Sequence, residues 1–383
     1  MDAPFGLPLP PPARVVVGLS GGVDSAVTAL LLKRAGYEVL GLFMKNWEDD
    51  DRFGDCPAEA DIADVQAIGH TLDIPVQVVN FAAEYREQVF AHFLAEYRRG
   101  RTPNPDILCN RQIKFGVFRQ HALALGAQAI ATGHYAALRR DGKQAHLLCP
   151  ADRDKDQTYF LHSLTQAQLA PAGFPLAGFT KREVRALATE AGLPVAGKKD
   201  STGICFIGER PFREFLSRYL VAEPGDMLDP EGHIVGRHIG LPHYTLGQRQ
   251  GLGIGGGHGT GNAPWYVAGK DAARNTLRVV QGHDHPLLLS DGLLSEAATW
   301  IASSPPASRF SCTAKTRYRQ TAETCQVEVL DDGGCEVRFA RPQRAVTPGQ
   351  SVVFYLGNEC LGGAVIDTTV PVIQAASDTA VSA

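Results

Sequence analysis

No two of the eight cysteines form a C-x-x-C pair; they fall at positions 56, 109, 149, 205, 312, 325, 335 and 360. That scatter argues against a zinc ribbon or a cysteine-held iron–sulfur cluster, so no metal site is expected. No apolar run approaches the length of a membrane span. The opening MDAPFGLPLPPP has neither a basic stretch nor an apolar core, so residues 1–13 read as a flexible lead and not as a signal peptide. These absences point to the cytoplasm, where cysteines stay thiols and most are inert core residues. A basic excess is missing too. The net charge of −4 excludes a globally basic nucleic-acid binder but leaves room for local basic patches.

What is present is ordinary in bulk and specific in detail. With 44% hydrophobic and 20% charged residues, a chain of 383 residues should fold as two or three domains with ample core. Residues 15–27 read VVVGLSGGVDSAV. The β-branched run predicts a buried strand, and apolar helical spacing resumes from Val23 to Leu32. A strand, a glycine loop and a helix together aim backbone N–H groups and a helix dipole at an anion. The common phosphate loop needs a Gly-Lys-Ser/Thr ending, and Gly18-Leu19-Ser20-Gly21-Gly22-Val23-Asp24-Ser25 has no such lysine. Gly21 and Gly22 let the backbone close around phosphate oxygens, Ser20 and Ser25 add hydroxyls, and Asp24 can orient the loop or help hold a metal ion. The loop resembles that of the ATP-pyrophosphatase, or PP-loop, superfamily, which implies ATP cleaved between its α- and β-phosphates. A plain tight turn is the alternative.

From residue 14 to about 132 strands and helices alternate, which implies a parallel sheet with helices on both faces and a ligand site at the carboxyl ends of its strands. Strands are predicted at 14–18, 38–44, 75–80 and 127–132, and helices at 23–35, 58–72, 85–97, 114–125 and 181–191. From about Pro224 the texture turns to glycine, proline and short alternating strands; the last third reads as hairpins of a small barrel. The fold class is therefore α/β: an N-terminal doubly wound parallel sheet, a small central β-rich domain and a C-terminal β-barrel. The divisions fall at 14–212, 213–285 and 286–368, with a flexible tail over 369–383. GLGIGG at 251–256 mimics a dinucleotide fingerprint, but no strand precedes it and no helix follows, so it reads as a glycine loop.

Two cysteines have unusual neighbours. In RRGRTPNPDILCNRQIKF, 98–115, Asn104 looks like a helix cap with Pro105 at the first position. Asp106 and Cys109 then share one helical face, with Arg111 and Lys114 near enough to favour a thiolate and Asp106 placed for acid–base work. A packed cysteine in a structural loop is the alternative. In KKDSTGICFIGER, 198–210, Gly203 permits a bend and Cys205 lies near the Lys198-Lys199 pair. That setting suits an exposed thiol on a mobile loop, and a buried cysteine in an ICFI strand is the other reading.

SGGVDS, RTPNPDILCN, ATGHY, DKDQTYFL, KKDSTGICFIGER, YTLGQRQGLGIGG and KTRYRQ occur in this order between residues 14 and 367. Together they resemble the bacterial tRNA 2-thiouridylases, a family of tRNA-uridine 2-sulfurtransferases. The resemblance implies conversion of the wobble uridine of Lys, Glu and Gln tRNAs to 2-thiouridine, using ATP, Mg²⁺ without a dedicated protein site, and a protein persulfide. It implies ATP bound by residues 18–25, with Met44 and Gly133 against adenine or ribose. It implies tRNA contacts from Asn104, Pro105, Asp106, Lys155, Asp156, Gln157, Arg317 and Tyr318. Cys109 is then the nucleophile and Cys205 the persulfide carrier, with a transient disulfide between them. A sulfur-donor protein and a monomeric enzyme are expected. Two rivals share parts of the pattern. An amide-forming ATP pyrophosphatase would have the loop without needing two thiols, and an ATP-sensing RNA binder would release no pyrophosphate.

Overall fold

Alternate residues of β1 (Arg14–Leu19) face opposite ways: Val15, Val17 and Leu19 enter one hydrophobic cluster and Val16 another, and all four are buried. A strand buried on both faces is the middle of a sandwich. The protein is seen in a computed structural model that describes residues 3–48, 57–199, 212–254 and 263–372. The first domain runs α1 (Val23–Arg34), β2 (Glu38–Lys45), α2 (Pro57–Leu72), β3 (Val76–Asn80), α3 (Ala82–Tyr85), α4 (Ala91–Arg98), α5 (Pro105–Leu108), α6 (Phe118–Ala124) and β4 (Ala129–Ala131). A hairpin of β5 (Ala137–Asp141) and β6 (Gln144–Leu148) follows, then α7 (Gln166–Leu169), β7 (Ala172–Gly173) and α8 (Lys181–Glu190). The parallel sheet has the order β3-β2-β1-β4-β7.

That order puts the topological switch between β1 and β4, since the chain leaves β1 toward β2 on one side and only later returns to the other. The carboxyl ends of β1 and β4 therefore flank the crevice where such sheets bind ligands. SGGVDS leaves one of these ends and ATGHY the other. α1 is buried along nearly its whole length, from Ser25 to Leu32, because it lies between the sheet, α2 and α8.

A central domain comprises α9 (Phe212–Ser217) and a four-stranded sheet of order β10-β11-β8-β9. Its strands are β8 (Gly225–Leu228), β9 (Ile234–His238), β10 (Trp265–Asp271) and β11 (Thr276–Gln281). Phe215 packs on Phe90 and Trp47 of the first domain at ring separations of 5.9 and 6.1 Å. The last strands are β12 (Leu289–Ser295), β13 (Thr299–Trp300), β14 (Arg309–Lys315), β15 (Glu323–Val329), β16 (Cys335–Arg344), β17 (Ser351–Leu356) and β18 (Glu359–Pro371). Pairing of β12 with both β16 and β18 closes six of them into a barrel, and β6 adds to the free side of β18. The hairpin of the first domain thus shares a sheet with the barrel.

The expected architecture is present, with local differences. The proline-rich lead, expected to be flexible, is packed: Leu7 is 2% exposed, Phe5 O accepts from Phe174 N and Gly6 O from Arg140 Nε. Its prolines forbid a long helix but not packing, and Leu7 enters the core over Gly173. Residues 369–371, expected in the flexible tail, belong to β18 and pair with β12 as far as Pro371; residues 373–383 lie outside the described part. Two helices predicted at 85–97 and 114–125 begin earlier and pass through π-helical turns at Arg86–Phe90 and Cys109–Val117.

Candidate functional site

The glycine loop is pre-folded by its own side chains. Ser25 Oγ accepts from Ser20 N at 3.1 Å and donates to Gly22 O at 3.0 Å, drawing the turn tight. Gly21 sits at φ +73°, where a side chain would be strained, and α1 begins directly after Gly22. The positive end of α1 thus faces the crevice. Asp24 is committed to orienting the loop. Its carboxylate accepts both oxygens' worth of contact from Lys181 Nζ, at 2.7 and 2.8 Å, and a hydrogen bond from Tyr135 OH at 2.9 Å. Lys181 stands at the first turn of α8, and its backbone N–H donates to Asp152 Oδ2 at 2.8 Å.

ATGHY joins this loop to the cysteine-bearing helix. A Cβ on Gly133 would stand 2.9 Å from Asp24 C and Ser25 N, so glycine is what lets the two segments touch. Tyr135 reaches Asp24, as above, while its backbone N–H and C=O are both bonded to Gln157 at 2.9 Å. Between them, His134 is bonded to Thr132 Oγ1 at 2.8 Å and lies 6.0 Å from the Phe115 ring. Burial, with Lys114 nearby, holds its pKa well below the usual histidine range, so it is neutral. Met44, at the end of β2, and Phe118 flank Gly18. The predicted nucleotide residues 18–25, Met44 and Gly133 therefore converge on one crevice.

Asn104 caps the cysteine-bearing helix as its spacing predicts, with Oδ1 accepting from Asp106 N at 3.1 Å and Pro105 in the first position. Asp106 is partly exposed, whereas Cys109 is 1% exposed and begins the π-helical turn. Such turns are rare and recur at functional sites. Asn110 donates to Phe160 O at 3.0 Å, and Gln168 donates to Arg111 O at 2.7 Å, fixing the turn from the side. Cys205 lies outside the described residues.

The residues expected to touch tRNA are spread along the junction of the domains. Lys155 ends a short 3₁₀ turn, Arg153–Lys155. Asp156 is buried, accepting from Thr158 Oγ1 at 2.6 Å and pairing with Lys315 Nζ of the barrel at 3.2 Å. Arg317 follows β14 and donates to Leu246 O at 2.6 Å, Ala345 O at 2.9 Å and Thr347 Oγ1 at 2.9 Å, clasping the central domain to the barrel. Tyr318 lies 4.4 Å from the Phe160 ring, and burial raises its pKa. Exposed basic side chains nearby are Arg98, Arg99 and Arg319.

The same junction encloses His162, whose Nδ1 is 2.8 Å from Tyr159 O and whose pKa burial lowers to about 4. The unfolded chain takes up this proton near pH 6.5, so stability is full above that value and is lost as pH falls toward 4. Denaturant unfolding at pH 7 and pH 5 should show a pH-dependent loss about 2 kcal/mol smaller in His162→Asn than in the unsubstituted protein. An identical loss in both would remove His162 as the cause.

Three family models match consecutive parts of the chain. They are described as the tRNA methyl transferase HUP domain over residues 13–209, the tRNA methyl transferase PRC-barrel domain over 213–281 and the aminomethyltransferase beta-barrel domain over 290–366. The tRNA-specific 2-thiouridylase MnmA of Thiobacillus denitrificans is 61% identical over 354 residues, covering 92% of this chain and 99% of that relative. The chain belongs to the tRNA-specific 2-thiouridylase family. MnmA of Methylobacillus flagellatus is 58% identical over 92% of this chain and 98% of its own length. MnmA of Methylococcus capsulatus is 58% identical over 93% and 96%.

Among the residues of this 2-thiouridylase family member, sequence reasoning passed over Lys181 and Tyr135, which hold Asp24. It also passed over the ion pairs of Lys198 Nζ with Asp61 and Asp64, at 2.8 and 2.6 Å. Asp61 O would lie 3.0 Å from a Cβ on Gly21, so this cluster braces the loop from the α2 side. Tyr135 and Lys198 both lie inside quoted motifs, which is the signal that marked them; Lys181 and the two aspartates carried none.

Proposed function

We propose that this protein adenylates the C2 oxygen of the wobble uridine in Lys, Glu and Gln tRNAs and replaces it with sulfur. The observation that carries this reading is the single pentapeptide tying the SGGVDS loop to the Cys109 helix, so that a nucleotide and a thiol serve one crevice. We read the chain as a catalytic domain over 14–212, a central domain over 213–285 and a tRNA-contacting barrel over 286–368. ATP is taken as the nucleotide, with its pyrophosphate on the loop amides and its adenosine between Met44 and the Gly133 edge.

The chemistry then follows from the parts. Oxygen on C2 is a poor leaving group, and its attack on the α-phosphate releases pyrophosphate and makes that oxygen part of AMP. Loop amides and Lys181, held by Asp24, stabilise charge developing on the phosphates. Mg²⁺ on the phosphates would supply further charge neutralisation. The terminal sulfur of a Cys205 persulfide attacks C2 and AMP departs. The Cys109 thiolate, its proton accepted by Asp106, attacks the inner sulfur; the S–S electron pair stays on the tRNA sulfur, and a Cys109–Cys205 disulfide forms. An external thiol reductant resets it. The uridine must leave its stack to be reached, and Asn104, Pro105 and Asp106 line the position where it would arrive. Lys155, Asp156, Gln157, Arg317 and Tyr318 border that approach. In this reading the buried members hold the surface in shape, while the exposed Arg98, Arg99 and Arg319 meet phosphates.

A monomer working in the cytoplasm with a separate sulfur-donor protein completes the reading. No helix among the described residues is long and apolar enough to cross a membrane. The test supplies unmodified tRNA, ATP, Mg²⁺ and a cysteine desulfurase, and weighs the nucleosides by mass spectrometry. Exchange of oxygen for sulfur at the wobble uridine is expected. A methylated nucleoside, the activity named in the family description, would overturn the proposal.

A further inference from the structure

Residues 100–103 lead from the end of α4, where Gly100 N and Arg101 N donate to Tyr97 O and Glu96 O, into the Asn104–Cys109 turn, and they are linked as well to distant parts of the fold. The Arg101 guanidinium touches three carboxylates from three separate stretches. Nε is 2.7 Å from Glu96 Oε2 at the end of α4, Nη2 is 2.6 Å from Glu296 Oε1, and Nη1 is 3.2 Å from Asp367 Oδ1. Glu96 belongs to the catalytic domain and is 3% exposed, whereas Glu296 and Asp367 belong to the barrel. Thr102 N donates to Pro348 O at 3.0 Å, and Thr102 O accepts from Gln350 Nε2 at 2.7 Å. Gly349 lies between them at φ +89°, where a Cβ would come within 2.9 Å of Thr102 N. From the central domain, Lys270 Nζ donates to Gly100 O at 3.3 Å.

We propose that Arg101 is a positioning residue that fixes the base-receiving turn against the tRNA-holding barrel. This rests on the function proposed above. The guanidinium suits the task because it is planar and presents donors in several fixed directions, so one side chain can join three carboxylates. It stands three residues before Asn104, and the buried Thr102 and Pro103 leave little slack between. A shift at Arg101 is therefore passed to Asp106 and Cys109. The engagement also removes Arg101 from the set of cations free to meet phosphate.

The test uses the full chain and two variants. Glu296→Gln/Asp367→Asn removes the barrel half of the clasp at partly exposed positions and leaves the buried Glu96 with its arginine. Arg101→Lys keeps the charge but not the fork. Turnover for 2-thiouridine formation is measured at saturating tRNA and ATP and expressed per ATP-binding site, so misfolded protein is not counted. Both variants should lose about 10- to 100-fold in kcat per site, the scale of a misplaced reacting group, with unchanged ATP KM and tRNA Kd. Wild-type kcat per site in the double variant would overturn the proposal, as would a loss confined to tRNA Kd or to the number of sites. Failure of the unsubstituted protein to make 2-thiouridine would instead sink the reading of function.

Discussion

Asp24→Ala is expected to abolish tRNA-dependent AMP formation while leaving the protein folded. The carboxylate it removes holds Lys181 from two oxygens and Tyr135 from one, so three parts of the crevice lose their common anchor at once. Lys181 would then lose the carboxylate that aims it at the phosphate position, and Tyr135 of the ATGHY segment would lose its hydrogen bond to α1. Loss of a preorganised charge at such a site costs on the order of 100- to 1000-fold in rate. Asp24→Asn should fall between, because the amide oxygen can still accept from Tyr135 but no longer neutralises Lys181. Gly133→Ala reaches the same loop from the other side: its methyl would meet Asp24 C and Ser25 N at 2.9 Å. Products of α-labelled ATP, separated by chromatography, decide the matter. AMP at the wild-type rate in both Asp24→Ala and Gly133→Ala would remove the loop from catalysis. ADP in place of AMP, from the unsubstituted protein, would sink the pyrophosphatase reading altogether.

The loop and the capped turn were legible because each is a local matter. SGGVDS needs only a strand before it and a helix after it. Asn104-Pro105-Asp106 needs only the pairing of a cap with a proline at the first helical position. The parallel sheet was legible for a related reason, since the alternation of apolar runs with helical spacing survives burial on both faces. What stayed hidden depends on partners far away in sequence. Lys181 is 157 positions from Asp24, and nothing in KREVRALATE distinguishes it from a solvated first-turn lysine. Arg317 and Tyr318 are ordinary residues of a turn until Leu246 and Phe160 are placed against them. The packing of the lead was hidden by composition, because prolines report what the backbone cannot do and say nothing of where Leu7 is buried. π-helical turns leave no periodic trace of their own, and both helices that contain one start earlier than their apolar spacing suggests.

Sulfur loaded from a desulfurase onto Cys109→Ala should remain on the peptide that contains Cys205. The two thiols are predicted to divide the work by access. Cys109 is 1% exposed, three residues beyond Asp106 and braced by Asn110 and Gln168, a place that a bulky donor protein could not enter. Cys205 follows Lys198 and Lys199 in a sequence with a permissive glycine, a setting that favours an anionic persulfide. A sulfur carried on Cys205 cannot leave unless a second thiol accepts its inner sulfur, because otherwise the product stays joined to the enzyme as a disulfide. Cys109→Ala should therefore load, form AMP and stall with tRNA held covalently, and an added reductant should free thiolated tRNA. Cys205→Ala should not load productively, although a sulfide salt at high concentration should restore some thiolation by attacking C2 directly. Digestion and mass spectrometry locate the added sulfur in each variant. A stable persulfide found only on Cys109 would reverse the two roles. Full thiolation by either single variant would mean that one thiol suffices, and the burial of Cys109 would then belong to packing alone.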